Sequence, residues 1–104
     1  MKDRIEALQA MLARNPADSR AHFGLAAEFE KLGQWHLVKE HLEAYLLMAA
    51  DQGNAWGRLA RAQIASGDSK AAAQSYRSGI EAARRHGHPS MADEFEQALS
   101  DLTV

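Results

Sequence analysis

The chain has 104 residues, of which 46% are hydrophobic and 25% are charged, and its formal net charge is −2. This length fits one compact domain or a short array of repeats, and the composition is that of an ordinary folded protein. The slightly negative charge argues against nucleic-acid and anionic-lipid partners, which need a basic surface. No cysteine is present, which excludes disulfides, thiolate chemistry and cysteine-based zinc sites.

The N-terminal stretch, residues 1–14, alternates charged with apolar side chains and contains no apolar core of signal-peptide length. No apolar run approaches the roughly 20 residues that a membrane-crossing helix needs. We therefore expect a cytoplasmic protein with no membrane partner.

Apolar residues recur three and four positions apart along most of the chain, a spacing that predicts helices. The predicted helices are residues 2–14, 19–32, 35–49, 54–66, 69–86 and 90–102. The first is expected to end at Asn15, because the residue before a proline is disfavoured in the helical region. Gly33, Gly67 and Gly87 follow the second, fourth and fifth helices, where a residue with positive φ is favoured.

Other residues define the caps and the expected core. Asp18 or Ser19 is expected to cap the second helix, and Ser90 with Asp93 has the three-residue spacing of a capping box. Trp56 is expected to be a core residue of the fourth helix. The other expected core residues include Ile5, Leu8, Met11, Leu12, Ala21, Leu25, Ala26, Phe29, Val38, Leu42, Tyr45, Leu46, Met91, Phe95, Ala98, Leu99 and Leu102.

The chain resembles itself when Ala21 is aligned with Ala55, a shift of about 34 residues that is typical of helix-turn-helix repeats. We call this shift the repeat spacing. The matching sets are Ala21 and Ala55, His22 and Trp56, Leu25 and Leu59, Ala26 and Ala60, Gly33 and Gly67, then Leu8, Leu42 and Tyr76, and Leu12, Leu46 and Ile80. The matches are small, apolar and glycine positions, whereas the polar positions differ. Packing and turn geometry select for such a pattern, and chance similarity of composition does not.

The recurrent pattern resembles the tetratricopeptide repeat over Ile5 to Arg85. The second copy carries the residues of that pattern at Trp56, Leu59, Ala60, Gly67, Ala72 and Tyr76. The first copy departs from it at His22 and Val38, where the family usually has tryptophan and alanine. Pro16 lies where the family often places the proline that closes a repeat.

This resemblance implies an all-α fold, a right-handed α-α superhelix of antiparallel helix pairs with about six helices. The resemblance is to a small, stand-alone family member of bacterial type. The expected organisation is one domain, 1–104, with an N-terminal half-repeat helix at 1–16, repeats at 19–52 and 53–86, and a C-terminal capping helix at 88–104. The terminal helix is expected to cover the exposed apolar face of the last repeat.

Candidate catalytic and metal-binding residues do not form a recognisable constellation. His36 and His41 are five residues apart and fall on different helix faces, unlike the four-residue pair that holds zinc. The serines, Ser75 among them, are expected at caps or helix surfaces, and none has the context of a nucleophile elbow. The acids Asp93 and Glu94 are expected on a solvated helix start. We therefore expect no enzyme activity, no cofactor and no metal.

The resemblance implies a concave groove, lined by the first helix of each pair, that binds a peptide segment of another protein. The matching positions are Arg20, Phe23, Ala27, Glu30, Asn54, Gly57, Arg58, Arg61 and Ile64. Arg58 and Arg61 are three apart, so both guanidinium groups leave one side of a helix. Gly57 beside them is expected to leave room for a ligand backbone, and Asn54 with Arg58 suits a carboxylate.

Some family members clamp the C-terminus of chaperones with basic residues and asparagines. Phe23 and Ala27 stand here in place of lysine and asparagine, so we do not expect that ligand. One alternative to ligand binding remains open, in which Arg58 and Arg61 pair with acids of neighbouring helices, for instance Glu28 or Glu94.

The leading hypothesis is therefore a scaffold or adaptor that binds a protein or peptide partner, without nucleic acid. The alternative is a structural subunit that forms a homodimer through the open edge of its repeats and has no peptide ligand.

Overall fold

The computed structural model describes residues 2–102, which form six helices and no strand. The helices are α1 (Lys2–Arg14), α2 (Ser19–Lys31), α3 (Trp35–Met48), α4 (Asn54–Ala65), α5 (Ser69–Arg85) and α6 (Pro89–Leu102). The predicted all-α class is confirmed. Residue 1 and residues 103–104, which belong to the first and last predicted segments, lie outside the described residues.

The helix boundaries follow from capping residues in the sequence. The side chain of Asp18 accepts a hydrogen bond from the backbone N–H of Ala21 at 3.1 Å, so Asp18 rather than Ser19 is the N-cap of α2. Gly33 and Gly67 follow α2 and α4 with φ of 69° and 84°. Glycine adopts this left-handed region without steric cost, so both turns can close directly after their helices.

The start of α6 differs from the prediction. The backbone N–H of Ala92 donates to the carbonyl oxygen of His88 at 3.1 Å, and the helix begins at Pro89. Proline suits the first helical position because its missing N–H would have no partner there. Ser90 is therefore inside the first turn, and the predicted capping box between Ser90 and Asp93 is wrong.

The chain divides into two compact units, unit 1 (Met1–Ala49) and unit 2 (Ala50–Val104). In unit 1, α2 packs against both α1 and α3. In unit 2, α5 packs against both α4 and α6. The packing of consecutive helices within each unit is compatible with a helical repeat.

Much of the expected core of unit 1 is confirmed, but Ile5, Leu12, Tyr45 and Leu46 are only half-buried and Met11 is exposed. The buried apolar residues there are Leu8, Ala21, Leu25, Ala26, Phe29, Val38 and Leu42. Met11 was expected among them but is 39% exposed. Helix α1 packs against α2, so the side of its apolar stripe that carries Met11 is only partly covered.

In unit 2 Met91, Ala98, Leu99 and Leu102 are partly buried against the core, and the expected role of Trp56 requires correction. Trp56 is half-buried rather than buried, whereas Tyr76 and Phe95 are buried and their ring centroids lie 5.6 Å apart. Small side chains such as Ala60 and Ala72, both fully buried, let the helices that carry them approach closely. Tyr76 and Phe95, not Trp56, therefore supply the large buried rings of this core.

The two hairpins α2–α3 and α4–α5 form corresponding contacts at positions that differ by the repeat spacing. In unit 1 the rings of Phe29 and His41 stack, with centroids 5.7 Å apart and planes 16° apart. At the matching positions of unit 2, the hydroxyl of Ser75 donates to Gln63 Oε1 at 2.7 Å. Ser75 is buried, so its expected surface position was wrong. The same pair of positions meets in both hairpins, although the chemistry of the contact differs.

Candidate functional site

On unit 1 the predicted groove residues form a stripe along α2. Arg20 is exposed, and Phe23, Ala27 and Glu30 are half-buried. The ring of Phe23 packs against Tyr45 of α3, with centroids 5.0 Å apart and planes 49° apart. This contact holds Phe23 in place, so its half-exposed ring offers a fixed apolar surface to a ligand.

On unit 2 most of the predicted residues form a second stripe, along α4. Asn54, Arg58, Arg61 and Ile64 follow one another at four- and three-residue steps, which places them on one helix side. Asn54 and Arg61 are exposed, Arg58 is half-buried, and Ile64 is 40% exposed. The α4 stripe therefore combines cationic, amide and apolar groups, which suits a peptide that carries a carboxylate near an apolar side chain.

Gly57 does not leave room for a ligand, contrary to expectation. It is buried, and a Cβ added to it would lie 2.5 Å from Cζ of Phe95 in α6. A Cβ on Gly79 would lie 3.0 Å from the same ring. The space beside Gly57 is therefore filled by Phe95, because the absence of a side chain serves the packing of α6.

Glu28 on α2 is a buried carboxylate that two cations contact within unit 1. Its Oε2 accepts hydrogen bonds from Lys31 Nζ at 3.2 Å and from Arg4 Nε at 3.0 Å. The hydrogen bond from Lys31 and then that from Arg4 lower the pKa of Glu28 below its ordinary value, although burial alone would raise it. The ionised carboxylate of Glu28 therefore ties α1 to α2.

A cleft of about 800 Å³ lies along α5 and α6 in unit 2 and was not predicted. Its lining residues are Arg77, Ile80, Glu81, Arg84, Glu96, Leu99 and Ser100. The α5 residues among them are three or four positions apart and so share one helix face. The sequence predicts that α6 covers the apolar face of the last repeat. It does not predict which α6 side chains lie beside this face of α5, because Pro89 interrupts the repeat register.

The charges that line this cleft are unequally compensated. Arg84 forms an ion pair with Glu96, and Glu81 forms one with Arg85. Among residues 2–102, no ion pair of Arg77 is present. Arg77 and the apolar residues Ile80 and Leu99 line the same cleft, and this combination suits a ligand carboxylate beside an apolar group.

Neither a cluster of three metal-binding side chains nor a membrane-spanning helix is present in the part of the chain that the structure describes. Between residues 2 and 102, no three side chains of histidine, aspartate or glutamate lie close enough to hold a metal ion together. Within the same range, every helix is too short or too polar to cross a membrane.

Comparison with known proteins assigns no family. No family model matches the sequence, and no curated protein is significantly similar to it.

Proposed function

We propose that this chain is a protein–protein interaction module of the tetratricopeptide type, a scaffold or adaptor that binds a peptide segment of a partner protein. One observation carries the proposal. Phe29 meets His41 in the first hairpin, as Gln63 meets Ser75 in the second, and the two pairs differ by the repeat spacing. Repetition of the contact as well as the residue pattern is what a helical repeat requires.

The repeat character supports binding because of how such proteins bury apolar surface. Each helix pair contacts its neighbours and leaves one side of its first helix available, and repeat proteins use such surfaces for binding. Here those sides carry Phe23 on α2, and Arg61 with Ile64 on α4. We infer that the bound segment combines an apolar residue with a carboxylate, in a cytoplasmic setting.

The test is a pull-down from native lysate with the wild-type chain and charge-reversed variants. Arg61→Glu reverses an exposed charge on the α4 stripe, and Arg58→Glu extends the reversal along it. Lys70→Glu is the matched control, because it reverses an exposed charge in the first turn of α5, where a carboxylate is favoured. We expect the Arg61→Glu variant to lose partners that Lys70→Glu retains.

Equal yields of the same partners from all variants would exclude the α4 stripe as the site. Arg77→Glu, tested in parallel, assigns partners that depend on the α5–α6 cleft instead. Circular dichroism of each variant shows whether the helices remain intact, so that lost binding is not confused with unfolding.

Self-association is the second candidate, and exposed apolar residues of unit 1 favour it. Met11 on α1 is 39% exposed, and Leu47 on α3 is 89% exposed. Burying an exposed apolar side chain against another surface is favourable, and two-fold dimers are the commonest oligomers. Light scattering at micromolar concentration tests this. A dimer that Leu47→Lys dissociates supports it, and a monomer at all concentrations contradicts it.

A further inference from the structure

Two histidine rings of unit 1 meet directly. The Nδ1 atoms of His22 on α2 and His41 on α3 lie 3.0 Å apart, and the ring centroids lie 5.2 Å apart. The centroid separation exceeds the nitrogen separation by about two ring radii, so the two nitrogens point almost straight at each other. This alignment suits one hydrogen bond between the rings. A metal ion about 2.1 Å from both nitrogens would lie well away from both lone-pair directions.

A third group determines which nitrogen carries the proton. Nε2 of His22 lies 3.0 Å from the carbonyl oxygen of Pro16. Because a carbonyl oxygen only accepts, Nε2 of His22 must donate to it. A neutral imidazole has one N–H, so Nδ1 of neutral His22 is an acceptor and Nδ1 of His41 is the donor. The tautomers assigned from these partners form a relay from α3 through α2 to the Pro16 turn.

The surroundings of His41 favour its neutral form. Burial lowers the pKa of His41, and electrostatic repulsion from His22 lowers it further, while Glu40 on the same helix raises it. The other ring that contacts His41 from α2 is Phe29, which stacks on it and offers no charge. Asp18, in the turn with Pro16, uses its carboxylate to cap α2 at Ala21.

We propose that His22 and His41 form a one-proton link that fastens α2 and the Pro16 turn to α3, and that a second proton breaks it, loosening unit 1 in mildly acidic solution. When only His22 is charged, its Nδ1–H donates to a neutral His41, and the link persists. When both rings are charged, two N–H groups and two positive charges face each other at 3.0 Å. Such a switch acts separately from any peptide surface on α4.

The pH window follows from the direction of the shift. The unfolded chain binds a proton at His41 near the ordinary pKa of 6.5, whereas the folded chain binds it only at lower pH. The contribution of His41 to stability is therefore complete above that value. It is lost as pH falls from there through the lowered pKa of the folded state.

The first test is the urea midpoint of unfolding, measured from about pH 7.5 to about pH 5. We expect the urea midpoint of the wild-type chain to fall as the pH is lowered over this range. The urea midpoint of the His41→Gln variant should fall less. His36→Gln is the matched control, because His36 lies on the same helix and is exposed. The urea midpoint of the His36→Gln variant should depend on pH as steeply as that of the wild-type chain. If the urea midpoint of the His41→Gln variant also depends on pH as steeply as that of the wild type, the proposal is overturned.

A second measurement needs no variant and so does not depend on the folding of His41→Gln. Imidazole ¹⁵N shifts of the wild-type chain report the tautomer and titration of each histidine. We expect His41 to carry its proton on Nδ1 near neutral pH, and to titrate below the ordinary histidine pKa of 6.5. A proton on Nε2 of His41 near neutral pH, or a pKa of His41 at or above 6.5, would overturn the proposal.

Discussion

The ring of Phe95 packs against Gly57 so closely that a Cβ on this glycine would lie 2.5 Å from the ring. Gly79 contacts the same ring, and the two glycines match Phe23 and Tyr45 of unit 1 under the repeat spacing. In unit 1 those two aromatic rings pack on each other. The first hairpin therefore fills this position with its own side chains, and the second receives Phe95 from α6.

The contact between Gly57 and Phe95 predicts that the effect of Gly57→Ala on stability changes sign when the ring of Phe95 is removed. Gly57→Ala should destabilise the wild-type chain, because overpacking costs about 1–3 kcal/mol while alanine recovers only about 1 kcal/mol of helix propensity. Phe95→Ala alone should cost about 3–5 kcal/mol. In the Phe95→Ala background, Gly57→Ala should instead stabilise. Urea unfolding of the four chains measures this cycle, and the same destabilisation in both backgrounds would contradict the contact.

The hydrogen bond between Ser75 and Gln63 predicts a second pattern. Both residues are buried, so Ser75→Ala should cost about 1–3 kcal/mol by leaving Gln63 Oε1 without its donor. Replacing both partners, with Ser75→Ala and Gln63→Met, should recover much of that loss because no polar atom is then stranded. Thermal unfolding compares the variants. A double variant less stable than Ser75→Ala would show that the bond does not act as described.

Gly33 and Gly67 predict equal responses from the two hairpins. Both have positive φ, and a Cβ on either would meet nothing within 4 Å, so backbone strain is the only cost. Alanine at each position should cost about 1–2 kcal/mol, since the left-handed region is unfavourable for residues with a Cβ. Asparagine should cost less. Denaturant unfolding of the paired variants tests this, and a large cost at one glycine with none at the other would refute structural equivalence.

Glu28 predicts part of the acid sensitivity of unit 1. Its folded pKa lies below the ordinary value of 4.5, so its contribution is present above that pH and is lost as pH falls through the lowered value. Glu28→Gln should lower the free energy of unfolding near neutral pH. The free energy of unfolding of this variant should also fall less steeply in acid than that of the wild-type chain. Stability measured against pH checks both effects. An unchanged acid profile in Glu28→Gln would show that its contacts with Lys31 and Arg4 are not linked to folding.

The features that sequence predicted well depend on neighbours in the chain. The end of α1 follows from Pro16, and the start of α2 follows from Asp18. The turns after α2 and α4 follow from Gly33 and Gly67, because each of these signals acts within a few residues. The buried stripe of α2 was also predictable, since helical periodicity identifies the apolar face. These local signals were sufficient for the all-helical class and for most helix bounds.

The features that sequence did not predict depend on which side chains meet between helices. The sequence predicts open space beside Gly57, because a glycine in a sequence does not show what packs against it. Likewise His22 and His41 are 19 residues apart and follow no metal or catalytic spacing. Trp56 shows a related limit, since the apolar pattern identifies a face and not how completely that face is covered.

Hydrogen exchange of the chain with and without its captured partner tests the proposed binding function most directly. The partner is the one whose capture Arg61→Glu abolishes. We predict slower backbone exchange in α2 and α4 when this partner is bound, because their stripes carry the proposed binding residues. Failure to capture any partner, or a complex that leaves exchange in both helices unchanged, would contradict the proposal.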